Sequence, residues 1–281
     1  MRIGRIVGAG VGIWGANWFR WFVVTIALTG VLPGVVAALD PWTATFGAPF
    51  WTVERGPLPD PNRLAVALSL VNSLLLTPWL LVILTRATLR ATFPEEGPRS
   101  LVGRTIQSVH SILWIIILAL LAFLGVAIVI AIPFAAASDR PNDPALAVFG
   151  LVFFGLLVWL GPRLATVPQV LIGEDARGTR AYAGAWRLSR GQWGTSAAVA
   201  ILGILLTVAI GVVPAIVAFE LFPDPVVGDA VPRAVVQSLV SGLVTPLGIS
   251  VVAALYLELR ARKGVLDQTL LRSRLARYDA S

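Results

Sequence analysis

Residues 196–222, SAAVAILGILLTVAIGVVPAIVAFELF, form an apolar run whose single charged residue, Glu220, stands near its end. A helix that crosses a hydrocarbon core of about 30 Å needs about 20 mostly apolar residues, so this run predicts a transmembrane helix. Comparable runs lie at residues 18–39, 64–85, 108–136, 146–172 and 234–257. The sequence therefore predicts an all-α, polytopic membrane helix bundle of about six transmembrane helices, in a single integral membrane domain over residues 1–281.

The composition agrees with a lipid environment. The chain is 57% hydrophobic and 13% charged, which is too little polar surface to coat a water-soluble protein. It contains no cysteine, which excludes disulfides, thiolate metal sites and cysteine nucleophiles. The formal net charge is +7, but the basic residues lie in short segments between apolar runs, where membrane topology explains them better than nucleic-acid binding. We therefore expect no nucleic-acid partner.

The segments between the runs alternate in charge. Arginine concentrates before the first run, between the second and third, between the fourth and fifth, and after the sixth, whereas the other three segments carry more acidic residues than basic ones. By the positive-inside rule both termini are cytoplasmic. Lys263 is the only lysine, and this bias towards arginine hints at a GC-rich bacterial source. The expected location is a bacterial inner membrane.

Two further topological interpretations concern the first run and the order of the helices. Residues 4–19 predict an interfacial helix that leads into the first span, although small residues at 36–38 leave a cleaved signal peptide as the alternative. The strings at 69–78 and 238–246 resemble each other, and Pro33, Pro133 and Pro214 recur near the outer ends of odd-numbered spans. These repeats suggest three parallel helical hairpins, with chance similarity as the competing explanation.

Intramembrane ionisable residues are the default functional candidates, because desolvating a charge is costly. Arg163 follows Gly161 and Pro162 within the fourth run. Two interpretations stay open: an anchor for a phosphate or carboxylate headgroup, or a structural arginine bonded to backbone carbonyls. His110 is the only histidine and cannot form a metal site alone. Asn72 and Gln237 lie in the second and sixth runs, where they are expected to form hydrogen bonds between helices.

The segment GEDARGTRAYAGAWRLSRGQW, residues 173–193, has two chemically distinct faces. On a helical wheel Tyr182, Trp186 and Trp193 share one face, and Arg177, Arg180 and Arg187 lie opposite. This pattern predicts an amphipathic cytoplasmic helix in the membrane interface, with aromatic rings towards lipid and arginines towards phosphates or cytosol. A basic cytoplasmic tail, residues 258–281, follows the last run.

Residues 163–193 and the later run LYLELRARKGVLD resemble the bacterial glycerophosphoryl diester phosphodiesterase membrane-domain family and its uncharacterised relatives. The similarity covers roughly residues 150–270. It departs from the usual pattern at Ala185, Ser189 and the Gly264-Val265 pair. The soluble phosphodiesterase domain is absent from this chain, so the resemblance does not imply catalysis. The matching positions are Arg163, Pro168, Glu174, Trp186, Leu188, Gly191, Trp193, Tyr256, Glu258, Leu259, Arg260, Arg262 and Asp267.

The chain lacks the motifs of serine hydrolases, zinc proteases and P-loop nucleotide-driven pumps. The leading hypothesis is a non-catalytic membrane module or assembly partner in envelope or lipid processes, with membrane lipids and another membrane or envelope protein as partners. The alternative is a transporter or lipid-handling permease with Arg163 as anion anchor, and a lipid-headgroup enzyme ranks last. No catalytic, cofactor-binding or metal-binding residue is assigned. The candidate headgroup or structural residues are Arg163, Glu174, Arg177, Arg180, Trp186, Arg187, Trp193 and Arg260.

Overall fold

A computed structural model describes residues 3–40, 62–92, 108–114, 117, 155–156, 158–174, 176, 178–221 and 227–279. These residues are almost entirely helical and contain no strand. Short helical stretches at 108–114 and 158–164 accompany the longer elements. In chain order the elements are α1 (Ile3–Thr25), the π-helical segment π1 (Ile26–Gly30), α2 (Val31–Leu39), α3 (Arg63–Val71), the π-helical segment π2 (Asn72–Leu76), α4 (Thr77–Thr92), α5 (Val167–Gly173), α6 (Thr179–Ser189), α7 (Trp193–Leu221), α8 (Val227–Arg262) and α9 (Gln268–Asp279).

Within the described ranges, four helical segments are long and apolar enough to cross a membrane. They coincide with the predicted first, second, fifth and sixth runs, which confirms the all-helical membrane class. Most of the third run, and the fourth run before residue 155, lie outside the described residues, so the number six and the hairpin grouping stay predictions. The four segments are Ile3–Leu39, Arg63–Thr92, Trp193–Gly211 and Gly228–Arg262.

Helix α8 is the centre of the bundle and packs against α1, α2, α4 and α7. Small residues allow its backbone to approach its neighbours closely. A Cβ atom on Gly10 of α1 would lie 2.6 Å from the Cα atom of Val251 in α8. One on Gly242 of α8 would lie 2.9 Å from the ring of Phe22. These contacts fix the position of α1 along α8.

The predicted interfacial helix at residues 4–19 forms the first part of α1, which continues without a break into the first apolar run. Ile6, Ala9 and Ile13 are buried in the core that α1 shares with α8 and α9. Whether this first helix is retained or cleaved stays open. Placement of residues 4–19 in the membrane interface stays a prediction.

A proline shortly after each π-helical segment explains why the helix widens there. A proline ring clashes with the carbonyl group four residues earlier in a regular α-helix. Pro33 stands four residues after Thr29 of π1, and Pro78 four residues after Leu74 of π2. A local π turn widens the helix at these points, and π1 and π2 contact each other. The two prolines therefore shape the centre of the first two spans.

The predicted basic tail begins as the last turn of α8 and then folds back. Gly264, with φ of 71°, follows that helix in the left-handed conformation. The amide of Gly264 donates to the carbonyl of Ala261, and the amide of Val265 donates to that of Arg260, which is the Schellman pattern. Helix α9 then packs against α1 and α8. Glycine suits position 264 because it adopts this left-handed conformation without strain.

Asp267 caps the start of α9 from a fully exposed position. Its Oδ1 atom accepts hydrogen bonds from the hydroxyl group and the backbone amide of Thr269, both at 2.7 Å. The hydroxyl bond, followed by the backbone bond, lowers the pKa of Asp267 below its ordinary value of 3.8. The cap is therefore strongest when this carboxylate is ionised.

Candidate functional site

Arg163 contacts two tryptophan rings. Its guanidinium carbon is 4.3 Å from the ring centroid of Trp159 and 4.3 Å from that of Trp186. Trp159 shares a helix face with Arg163 because it precedes it by four residues, whereas Trp186 comes from α6. The two indole rings meet edge to face, with centroids 5.7 Å apart. Because these centroids are only 5.7 Å apart, the two rings contact the guanidinium group from directions roughly at right angles, and cation–π attraction to both restricts its position.

A tight turn at residues 189–192 brings a third tryptophan to this group. Arg190 has φ and ψ of −62° and 123°, Gly191 has φ of 78°, and the amide of Gln192 donates to the carbonyl of Ser189. This is a type II turn, whose third residue needs the positive φ that glycine adopts freely. After the turn, the indole nitrogen of Trp193 donates to the carbonyl of Trp159 at 3.2 Å.

Arg163 is partly exposed and lacks a carboxylate partner among the described residues. Within that part of the chain, its cation–π contacts are with the rings of Trp159 and Trp186. A guanidinium group carries five N–H donors, and the two rings lie on adjoining sides of it, so neither ring covers the side that faces away from them. The arrangement leaves a positioned cation able to accept an anion from outside. We call Trp159, Arg163, Trp186 and Trp193 the arginine–tryptophan site.

A second group joins α5 to the end of α8. The hydroxyl group of Tyr256 donates to Glu174 Oε1 at 3.4 Å, and Arg260 Nε lies 3.9 Å from the same oxygen. The guanidinium carbon of Arg260 is also 5.7 Å from the ring centroid of Tyr256. Gly173 makes the approach possible, since a Cβ atom there would lie 2.7 Å from the Tyr256 hydroxyl oxygen. Glu174 therefore links two helices.

A third group ties the turn at 189–192 to α8. Arg262 binds Glu258 at 2.9 Å and donates to the side chain of Gln192 at 2.6 Å. A longer bond of 3.4 Å reaches Thr195 at the start of α7. The ammonium group of Lys263 donates to the carbonyl of Arg190 at 3.0 Å. These bonds fix the turn that carries Trp186 and Trp193. We call the region formed by the three groups the basic end of the bundle.

The structure thus divides the predicted site residues into several sets. Arg163, Trp186 and Trp193 come together, and Glu174 and Arg260 form a separate ion pair. Arg180 and Arg187 are exposed on α6, and Arg177 lies outside the described residues.

The amphipathic helix predicted from the helical wheel extended too far at its C-terminal end. Helix α6 ends at Ser189, because the turn at Gly191 interrupts it, and Trp193 begins α7 instead. Trp159 was not among the predicted site residues, although its position four residues before Arg163 places the two side chains on the same helix face. In α6 itself, partial burial raises the pKa of Tyr182 by desolvation.

Arg86 is a buried arginine that was not among the predicted site residues. It lies in α4 just after the apolar part of the second run, is 2% exposed, and donates to Ser108 Oγ at 2.8 Å. Thr85 and Thr88 beside it are also buried. The sequence placed Arg86 among the basic loop residues, and its burial could not be inferred without knowing which helices pack on α4.

A polar cavity lies away from the basic end, between α2, the junction of α3 with π2, and α8. Its volume is about 170 Å³, and Asn72 and Gln237 both line it. Gln237 precedes Arg260 by 23 residues of α8, which corresponds to about 35 Å of helix. The lining does not include Arg163. Within the described residues, no group of acidic or histidine side chains could hold a metal ion.

Some of the residues on which the resemblance rests, among them Arg163, Glu174 and Arg262, lie at the basic end. No protein-family model, no curated protein and no solved structure matches the chain.

Proposed function

We propose that this chain is a multi-pass protein of the bacterial inner membrane that binds anionic lipid headgroups at its basic end and serves as a non-catalytic module for an envelope or lipid-handling partner. The observation that carries the proposal is the guanidinium group of Arg163, which contacts the rings of Trp159 and Trp186 and has no carboxylate partner in the described part of the chain. In this proposal the basic end faces the cytoplasm, in line with the excess of arginine there.

The chemistry of the arginine–tryptophan site suits a phosphate group. A planar guanidinium offers parallel N–H donors that match two phosphate oxygens, which a lysine ammonium cannot do. The two rings restrict the side chain before the anion arrives, so less conformational entropy is lost on binding. Tryptophan also favours the headgroup level of a bilayer. Together these features support a headgroup ligand.

The carboxylates of the basic end support a structural role for this region. Glu174 contacts Tyr256 and Arg260, and Glu258 is paired with Arg262. Each of these two carboxylates thus lies beside a cation from α8, whereas Arg163 contacts aromatic rings. A general base for headgroup chemistry would instead face the bound phosphate. This arrangement favours binding without catalysis.

A permease that uses Arg163 as its anion anchor would need a water-accessible path to that residue. The cavity observed between the spans lies nearer the opposite end of α8 and is lined by uncharged residues. The module hypothesis therefore takes precedence over the permease hypothesis.

The test is purification of the full-length protein in mild detergent, followed by identification of co-purifying lipids and proteins by mass spectrometry. We expect anionic lipids to co-purify with the wild-type protein and to be depleted in Arg163→Ala. Arg90→Ala is the matched control, because Arg90 is an exposed arginine in the last turn of α4 and is not among the candidate headgroup residues. If Arg163→Ala retains every bound lipid, the headgroup proposal fails. If the chain purifies without another protein, the partner part of the proposal fails.

A further inference from the structure

The cavity between α2, π2 and α8 is lined by four polar side chains and no charged one. These are Ser69, Asn72, Ser73 and Gln237, and the remaining lining is apolar. Asn72 follows Arg63, the first residue of α3, by nine residues, or about 13 Å of helix. The cavity therefore lies at the depth of the apolar run, where polar groups are costly unless they find partners.

One of these polar groups is unsatisfied. The side-chain oxygen of Asn72 is buried and has no hydrogen-bond partner among the described atoms. The sequence suggested hydrogen bonds between helices for Asn72 and Gln237, but in the structure they line the same cavity without a hydrogen bond between them. A buried amide oxygen without a protein partner is energetically costly, and a bound molecule that donates a hydrogen bond to it would remove this cost.

The cavity wall is fixed by contacts that do not use its polar side chains. Segment π2 begins at Asn72, and the hydroxyl group of Thr77 donates to the Asn72 carbonyl at 3.0 Å. Ser238, next to Gln237, donates to the carbonyl of Gly30 in π1 at 2.9 Å. Isolated π turns within α-helices occur frequently at functional sites. The backbone is thus anchored while the side chains facing the cavity are left for a ligand.

The size and lining of the cavity define the ligand class. A volume of about 170 Å³ holds roughly five water molecules, or one molecule of about six non-hydrogen atoms. Amide and hydroxyl groups supply both donors and acceptors, and the absence of charge in the lining disfavours an ion at this depth. We infer that the cavity is an intramembrane binding site for a small uncharged hydroxyl-bearing group, either a free polyol or the hydroxyl end of a neutral lipid.

The test titrates the purified full-length protein, in polyol-free detergent solution, with glycerol and separately with dioctanoylglycerol. Binding is followed by the unfolding temperature from tryptophan fluorescence. We expect one of the two probes to stabilise the protein in a saturable way, and the probe that does so identifies the source of the hydroxyl group. In Asn72→Leu and Gln237→Leu the half-saturating concentration should rise about tenfold, the equivalent of one lost hydrogen bond. Ser241→Ala on α8, which does not line the cavity, should bind like the wild type.

The unliganded Asn72→Leu protein adds a readout that separates binding from structure. Because this substitution replaces an unsatisfied amide by an apolar side chain, the variant without ligand should be at least as stable as the wild type. The proposal is overturned if neither probe gives saturable stabilisation, which would leave only water in the cavity. It is also overturned if both leucine variants bind like the wild type, or if Asn72→Leu loses stability while its binding is unchanged.

Discussion

Replacing Gly191 by alanine tests whether the turn at residues 189–192 supports the arginine–tryptophan site. Gly191 has φ of 78°, and a Cβ atom there would have no neighbour within 4 Å. The cost is therefore conformational, about 1–2 kcal/mol for an L-residue in the left-handed region. Lower entropy of the unfolded chain offsets part of it, by about 0.4–1 kcal/mol. We expect Gly191→Ala to reduce the free energy of unfolding by about 1 kcal/mol.

Gly194 provides a matched control three residues later. It lies in α7, and a Cβ atom there is equally free of neighbours, so Gly194→Ala should stabilise the helix by about 0.5–1 kcal/mol. The two variants should thus differ by about 2 kcal/mol when unfolded by sodium dodecyl sulfate in mixed micelles and followed by circular dichroism. Gly191→Ala should also bind lipid more weakly, because the turn carries Trp193 to Trp159. Equal stability of the two variants would refute the assigned turn.

Three further predictions concern packing, pH and topology. Gly10→Ala should destabilise the protein by about 1–3 kcal/mol because its Cβ atom would meet the backbone of α8, whereas Gly8→Ala, with open space around it, should not; mixed-micelle unfolding measures both. The lowered pKa of Asp267 adds stability that is present above pH 3.8 and is lost as the pH falls through the folded-state pKa. Hydrogen exchange in α9 should therefore accelerate below about pH 4 after correction for intrinsic rates, and Asp267→Asn should lack this change. In the cysteine-free chain, an impermeant maleimide applied to intact cells should label Arg63→Cys but not Ser273→Cys, and the reverse pattern would contradict the assigned orientation.

The membrane class could be predicted because helix length and apolar composition are local properties of the sequence. The apolar runs that contain Leu70, Leu205 and Leu247 all reappear as long helices. Local sequence properties could not predict which of these helices lies at the centre of the bundle. That depends on contacts between distant residues, such as Gly10 against Val251, and the periodicity of one helix does not reveal its neighbours.

Only part of the candidate site could be predicted, because contacts between distant residues also decide which side chains meet there. The segment that carries Trp186 was identified from its charge and aromatic pattern, but its ring partner Trp159 comes from an earlier segment. The helical wheel placed Trp193 on the same helix as Trp186, because Gly191 was treated as an ordinary helical residue. In the structure, the positive φ of Gly191 ends that helix. Arg86 escaped notice because its burial depends on tertiary packing alone.

The most direct test of the headgroup proposal compares anionic and zwitterionic lipids at equal chain length. Purified protein in detergent is titrated with dihexanoyl phosphatidylglycerol and dihexanoyl phosphatidylcholine, and tryptophan fluorescence reports binding. Both lipids carry a phosphate group, but the choline ammonium of the zwitterionic lipid repels the guanidinium group. A tenfold preference corresponds to about 1.4 kcal/mol, and one charge pair at 4 Å contributes about 1 kcal/mol in water and about 4 kcal/mol near a protein surface. We therefore predict that the wild type and Arg90→Gln favour the anionic lipid at least tenfold, and that Arg163→Gln loses this preference. An unchanged preference in Arg163→Gln would contradict the account.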